Sequence, residues 1–148
     1  MHQQIDVIVT AYNVQDCLGE CLASLAAQTY ENFRVLVIED SSTDQTAEVA
    51  SEFVARDARF EMLSTPGLGA AGARNRGLAL VEAPLFMLLD GDDIFHPELL
   101  QRLRTALTST DADIAVCDMV QFVHDPALSH EARMRIAAPW SLKKSQLP

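Results

Sequence analysis

The chain has 148 residues, 49% of them hydrophobic, and a formal net charge of −10. That is enough for one domain with a buried core, and the acidic excess argues against a nucleic-acid partner, which needs clustered Lys and Arg, and against an anionic membrane surface. Met1-His2-Gln3-Gln4 leads straight into an apolar run without a signal-peptide pattern, and no apolar stretch approaches membrane-spanning length, so the cytoplasm is the expected compartment, with peripheral membrane association left to sequence outside this chain.

Strand-like and helix-like patterns alternate through residue 123. Ile5 to Thr10 reads as a short strand, and Cys17, Leu18, Cys21, Leu22 and Leu25 then recur on one face of a helix. Arg34 to Glu39 is a second strand, almost wholly apolar inside, as suits a strand covered on both faces. A helix is predicted from Thr43, with Ala47, Ala50, Phe53 and Val54 as its buried stripe, followed by a third strand at Phe60 to Ser64. Pro66 to Gly72 reads as a glycine-rich loop, Ala73 to Val81 as a short helix and Leu85 to Leu89 as a fourth strand. Pro97 opens a helix at a position where its missing N–H costs nothing, with Leu99, Leu100, Leu103 and Leu107 inward. Ile114 to Val123 is a predicted fifth strand. From Asp125 the pattern breaks, with only Glu131 to Ala138 helix-like, so the expected organisation is one domain over 1–124 and the start of another region over 125–148.

Such alternation implies an α/β fold: a Rossmann-like, mainly parallel sheet with helices on both faces. Ligands of such sheets bind beyond the carboxyl ends of the strands. Three polar clusters fall there: Thr10-Ala11-Tyr12-Asn13, Glu39-Asp40-Ser41-Ser42 and Asp90-Gly91-Asp92-Asp93. The last is the most informative, because three carboxylates within four residues at the end of a buried strand repel one another. A hard divalent cation, held by one or two carboxylates and by the phosphate oxygens of a substrate, would relieve that repulsion. The structural alternative is an acidic turn that caps the next helix. Asp40 is suited to accept a hydrogen bond from a base or ribose, or else to cap a helix. Tyr12 is suited to hold a base or simply to pack, and Arg74 to reach a phosphate or to sit on a helix surface.

Other motifs carry less. Gly67, Gly69 and Gly72 form a literal G-x-G-x-x-G, with Asp90 18 residues on, which imitates a dinucleotide-binding fingerprint. That loop follows the third strand rather than the first, and an NAD-binding reading leaves Asp92 and Asp93 without a role. An aspartate-nucleophile phosphatase would need its motif near the chain start and a lysine at suitable distance, whereas Lys143 and Lys144 are the only lysines after Asp93. His96, His124 and His130 show no metal-ligand spacing. Cys17, Cys21 and Cys117 match no zinc pattern and read as small apolar residues of a reducing compartment.

Five segments in order carry a resemblance: Ile5-Asp6-Val7-Ile8-Val9-Thr10-Ala11-Tyr12-Asn13, Ser24-Leu25-Ala26-Ala27-Gln28-Thr29-Tyr30, Val37-Ile38-Glu39-Asp40-Ser41-Ser42-Thr43-Asp44, Gly72-Ala73-Arg74-Asn75-Arg76-Gly77 and Leu89-Asp90-Gly91-Asp92-Asp93. Together, over roughly residues 3–123, they resemble the nucleotide-sugar-binding half of family 2 glycosyltransferases, which have the GT-A fold. The resemblance implies a nucleotide site of Thr10, Ala11, Tyr12, Asp40, Arg74 and Asp90, and a DXD motif in which Asp92, with Asp90, holds Mg²⁺ or Mn²⁺. It implies metal-assisted, inverting transfer of a sugar from a nucleoside diphosphate sugar, UDP favoured, to a saccharide or lipid-linked acceptor hydroxyl. Thr10 stands where the family often has proline, Glu39 where it often has aspartate and Ser41 where it often has glycine. The family's catalytic base lies well beyond the DXD motif, hence beyond residue 148, so the sheet is expected to stop after about five strands and this chain alone to bind donor without turning it over. A non-catalytic nucleotide-binding or interaction module is the competing class, and a homodimer would cover apolar surface left for the second half.

Overall fold

The structure is a computed structural model and describes residues 3–110 and 112–119. Four strands, β1 (Ile5–Ala11), β2 (Phe33–Glu39), β3 (Phe60–Ser64) and β4 (Leu85–Asp90), alternate with helices α1 (Gln15–Ala26), α2 (Thr46–Arg56), α3 (Gly69–Leu78) and α4 (Leu99–Thr110). All pairings are parallel and the strand order is β3-β2-β1-β4. The chain runs outward from β1 through β2 to β3, then returns to place β4 on the other side of β1. The junction between β1 and β4 is therefore the point where strand order reverses, the place where open α/β sheets bind ligands.

Alternation along each strand divides the core into two layers. Val7, Val9, Val35, Val37 and Leu89 face one side and pack with Leu18, Cys21, Leu22 and Leu25 of α1. Each of these fully buried leucines contributes roughly 1.5–3 kcal/mol of apolar burial. Ile8, Leu36 and Ile38 face the other side, where α3 brings Ala73 and Leu78. Helix α3 lies so close that a Cβ at Gly77 would stand 2.4 Å from the Ile8 side chain, which is why a glycine faces the sheet there. On β4 this second face stays open, with Phe86 and Leu88 exposed.

Several boundaries differ from the sequence reading. Helix α2 begins at Thr46 rather than Thr43, because Thr43 and Asp44 are recruited across to the start of α1: Asp44 accepts from the N–H of both Gln15 (3.2 Å) and Thr46 (3.0 Å), and Thr43 N–H donates to Asn13 Oδ1 (2.8 Å). Helix α3 begins at Gly69, four residues before the predicted Ala73, and ends at Leu78 rather than Val81, so half of the glycine-rich loop is helical. Its start is fixed by Asp40, which accepts from the N–H groups of Leu68 and Gly69 at 2.7 Å each. No local signal in 66–72 shows that cap, since it comes from the end of β2. Helix α4 begins at Leu99, two residues past Pro97, after a turn closed by Leu99 N–H on His96 O (2.9 Å).

The predicted fifth strand is the larger correction. Residues 114–119 form no strand, and Ile114, Val116 and Met119 are exposed, because no described strand pairs with them and apolar alternation alone supplies no backbone partners. The rest of that prediction, the predicted helix at 131–138 and the boundary at 124/125 lie outside the described residues. The sheet and the helices packed on it form one compact unit among the described residues up to Thr105. No helix among the described residues is long and apolar enough to cross a membrane.

Candidate functional site

Register brings the three polar strand ends level. Thr10 lies opposite Ile38 on β2 and Asp90 on β4, and Ala11 lies opposite Glu39. Beyond this edge opens a cleft of about 590 Å³. Every residue named from the sequence for nucleotide or metal lines it: Thr10, Ala11, Tyr12, Asp40, Arg74, Asp90 and Asp92. The sequence reading did not assign Val14, Ser41, Ala70, Ala73 and Gly91, which complete the wall with Gly67 and Gly69 of the glycine-rich loop. Most are small, so their contribution is room and backbone, and only their position at strand and helix ends could have signalled it.

The acidic turn is held tightly at its root. Gly91 N–H donates to Thr10 O (2.9 Å) and Asp93 N–H to Asp90 O (3.0 Å). A Cβ on Gly91 would stand 2.9 Å from Thr10 O and 3.2 Å from the Val14 side chain, so only glycine lets the turn follow β1 this closely. Asp90 Oδ1 accepts from Arg74 at 2.6 Å and from the Thr10 hydroxyl at 3.1 Å. Asp92 is exposed, and its carboxylate has no hydrogen-bonding partner among the described residues. Partial desolvation by the neighbouring chain, then the charges of Asp92 and Asp90, push the carboxyl of Asp93, itself exposed, above its ordinary range. Cys21 lies beneath the turn, its Sγ 3.8 Å from Asp90 O, and burial together with the three aspartates pushes its thiol well up, which leaves it protonated and unreactive.

Asp40 forms the other wall. Its carboxylate accepts from the Thr65 hydroxyl (2.5 Å) and from the N–H groups of Leu68 and Gly69, and these bonds, the Thr65 hydroxyl foremost, hold its carboxyl below the usual range. The Gly67 N–H acts on it as well, so this carboxylate, 5% exposed, is supplied with donors from the whole of the loop that follows β3. Ser41 next to it has φ +62°, a left-handed conformation that strains a serine and explains why glycine suits this position. Tyr12, 59% exposed, presents its ring at the rim. The glycine pattern is accounted for by the fold, since Gly67 and Gly69 line the cleft while Gly72 lies inside α3.

No group of three or more His, Cys, Asp or Glu residues among those described forms a metal cage. The donor set fits a hard cation completed by a ligand: the free carboxylate of Asp92 and the remaining oxygen of Asp90 offer two oxygens and leave positions for phosphate and water.

Known proteins share this arrangement. The sequence profile "Glycosyl transferase family 2" matches residues 6–147. Glycosyltransferase GlyA of Streptococcus pneumoniae serotype 4 is 34% identical over 119 residues, 80% of this chain and 17% of the relative. GlyG of the same organism is 31% identical over 117 residues, 78% of this chain and 39% of the relative. The chain thus spans well under half the length of these curated relatives. Among solved structures, S. aureus TarS 1-349 in complex with UDP-GlcNAc aligns with a TM-score of 0.70 and 27% identity over 74% of this chain and 32% of that one. The mannosyltransferase PcManGT of Pyrobaculum calidifontis, solved with GDP-Man and Mn²⁺, shares the fold at a TM-score of 0.68 and 21% identity, over 72% of this chain and 33% of that one. The sheet and its helices are those of the GT-A fold, and the profile match across nearly all residues places the chain in glycosyl transferase family 2.

Proposed function

We propose that the chain is the donor-binding half of a glycosyltransferase that moves a sugar from a nucleoside diphosphate sugar to an acceptor hydroxyl, with inversion. The observation that carries the reading is the single cleft at the strand-order reversal, which gathers Thr10, Tyr12, Asp40, Arg74, Asp90 and Asp92 in a family 2 chain. A uridine donor is supported by the likeness to TarS, solved with UDP-GlcNAc and with UDP.

Each residue has a share. The Tyr12 ring offers an apolar face for the base, and Asp40, which lines the same cleft, is the acceptor for a base N–H. Arg74 exchanges its contact with Asp90 for the diphosphate, an exchange made easy by side chains that are 38% and 48% exposed. Asp40, Asp90 and Asp92 line the cleft against one guanidinium, Arg74, so a diphosphate entering alone meets net repulsion. Asp92 and Asp90 would hold Mg²⁺ or Mn²⁺, which supplies neutralisation of the charge on the departing diphosphate when bound. The chain's own contribution is orientation of the donor and a rigid electrostatic frame. No residue of this chain is assigned as general base.

Calorimetric titration with UDP, with and without Mn²⁺, tests the reading. Metal-dependent binding that disappears in Asp92→Ala is expected. Binding of NAD⁺ without metal would overturn it in favour of the glycine fingerprint.

A further inference from the structure

Five hydrogen bonds tie the segment that leaves the acidic turn to Ser24 near the carboxyl end of α1 and to Gln28 and Thr29 shortly beyond it. Phe95 N–H donates to Ser24 Oγ (3.0 Å), and the Phe95 ring is buried in the core. The Gln28 amide nitrogen donates to His96 O (2.8 Å), and its amide oxygen accepts from Leu100 N–H (3.1 Å) at the start of α4. Thr29 donates to Pro97 O through its N–H (2.8 Å) and its hydroxyl (3.3 Å). Gln28 is the centre of this clamp. It is 5% exposed, its nitrogen also donates to Ser24 O (3.1 Å), and both ends of the amide are used.

Besides its own Asp93 N–H to Asp90 O bond and the side-chain bonds on Asp90, the acidic turn is held from both ends among the described residues. On one side stand the β1–β4 pairing and the bond from Gly91 to Thr10 O; on the other stands the clamp from α1. Between them Asp92 has no hydrogen-bonding partner among the described residues, so its carboxylate is placed by the backbone path alone. A ligand on a turn supported from both ends presents its oxygen with little reorganisation, which is how supporting groups outside the direct ligands tune a metal site. We propose that Gln28 is a positioning residue for the metal-binding turn, and that the Ser24-to-Thr29 segment exists to set the path of Asp92. The proposal rests on the donor-site reading above.

A purely structural role would lower the folded fraction and affect every ligand alike. A positioning role lowers the gain that metal confers on nucleotide binding and spares binding without metal. The test is UDP affinity of the chain in Mn²⁺ and in EDTA, with bound Mn²⁺ followed by its electron paramagnetic resonance signal. It compares the parent, Gln28→Leu and Val35→Ala, a core substitution at the opposite end of the sheet. The Mn²⁺-conferred gain should fall at least tenfold in Gln28→Leu, with affinity in EDTA within twofold of the parent and the gain intact in Val35→Ala. If Gln28→Leu does not fold, Ser24→Ala removes one strand of the clamp and should reduce the gain about threefold. Retention of the full gain in the clamp variants, or an equal fall with and without metal, overturns the proposal alone. Absence of any gain in the parent overturns the donor-site reading, and this proposal with it.

Discussion

The two ends of the sheet each carry an aspartate–arginine pair, and the pairs differ in nearly everything else. At the amino end, Asp6 is fully buried and takes a two-point contact from Arg34 (3.1 and 2.8 Å) with N–H bonds from Glu82 (2.9 Å) and Ala83 (3.1 Å). Arg34 also donates to Leu80 O (2.9 Å), so the pair ties β1, β2 and the approach to β4 together. At the carboxyl end, Arg74 touches Asp90 through one nitrogen, both side chains are partly in water, and the second oxygen of Asp90 has no such bond. A saturated buried pair holds a fold and exchanges with nothing, whereas a half-made exposed pair can trade its partner for a ligand. The candidate site thus lies at the end of the sheet where the bonding is incomplete.

Substitutions at the two ends should separate these roles. Asp6→Ala removes the buried two-point partner of Arg34 and leaves the N–H groups of Glu82 and Ala83 without their acceptor, and should cost about 3 kcal/mol, read as a fall in the denaturation midpoint, while the folded fraction still binds nucleotide. Asp90→Ala should cost less than ~1 kcal/mol of stability, as partly exposed pairs do, yet lower UDP affinity in Mn²⁺ at least tenfold by calorimetry. Equal stability losses at both ends would break the contrast.

Acid should reveal the same asymmetry. Burial pushes the Asp6 carboxyl up, but the Arg34 contact and the bonds from Glu82 and Ala83 outweigh it and leave its pKa lowered. A lowered folded pKa stabilises the fold above the unfolded carboxylate value of about 3.9. That contribution is lost as pH falls from there through the folded value. Stability measured downward from pH 5 should therefore drop less steeply in Asp6→Ala than in the parent. Ser41→Gly should give the smallest change, a gain of about 0.5 kcal/mol, as relief of the left-handed strain exceeds the added freedom of the unfolded glycine. A loss there would mean that the serine side chain does more than tolerate its conformation.

The sequence made legible what depends on period and order. The stripe of Leu18, Cys21, Leu22 and Leu25 is the buried face of α1, and the strand-end clusters do converge on one cleft. It did not show what depends on partners far along the chain. Helix α3 starts early because Asp40, 28 residues before Leu68, caps it. Helix α2 starts late because Asp44 serves α1 as well. Ser24 and Gln28 were visible as part of a motif, but their meaning required the segment 68–72 residues away that they hold. The apolar run from Ile114 had the composition of a strand and no described strand to pair with.

The beginnings of α1 and α2 share their capping groups. Val14 N–H donates to Thr46 Oγ1 (2.9 Å), Gln45 N–H to Gln15 Oε1 (2.9 Å) and Asn13 N–H to Ser42 Oγ (3.1 Å), beside the double acceptor Asp44. Neither helix can fray at its first turn without uncapping the other. Amide hydrogen exchange should therefore show these two turns, 30 residues apart in sequence, opening as one cooperative unit with a common free energy. Tyr12 and Ser41 border those turns, so this part of the cleft wall should open and close with them as one body.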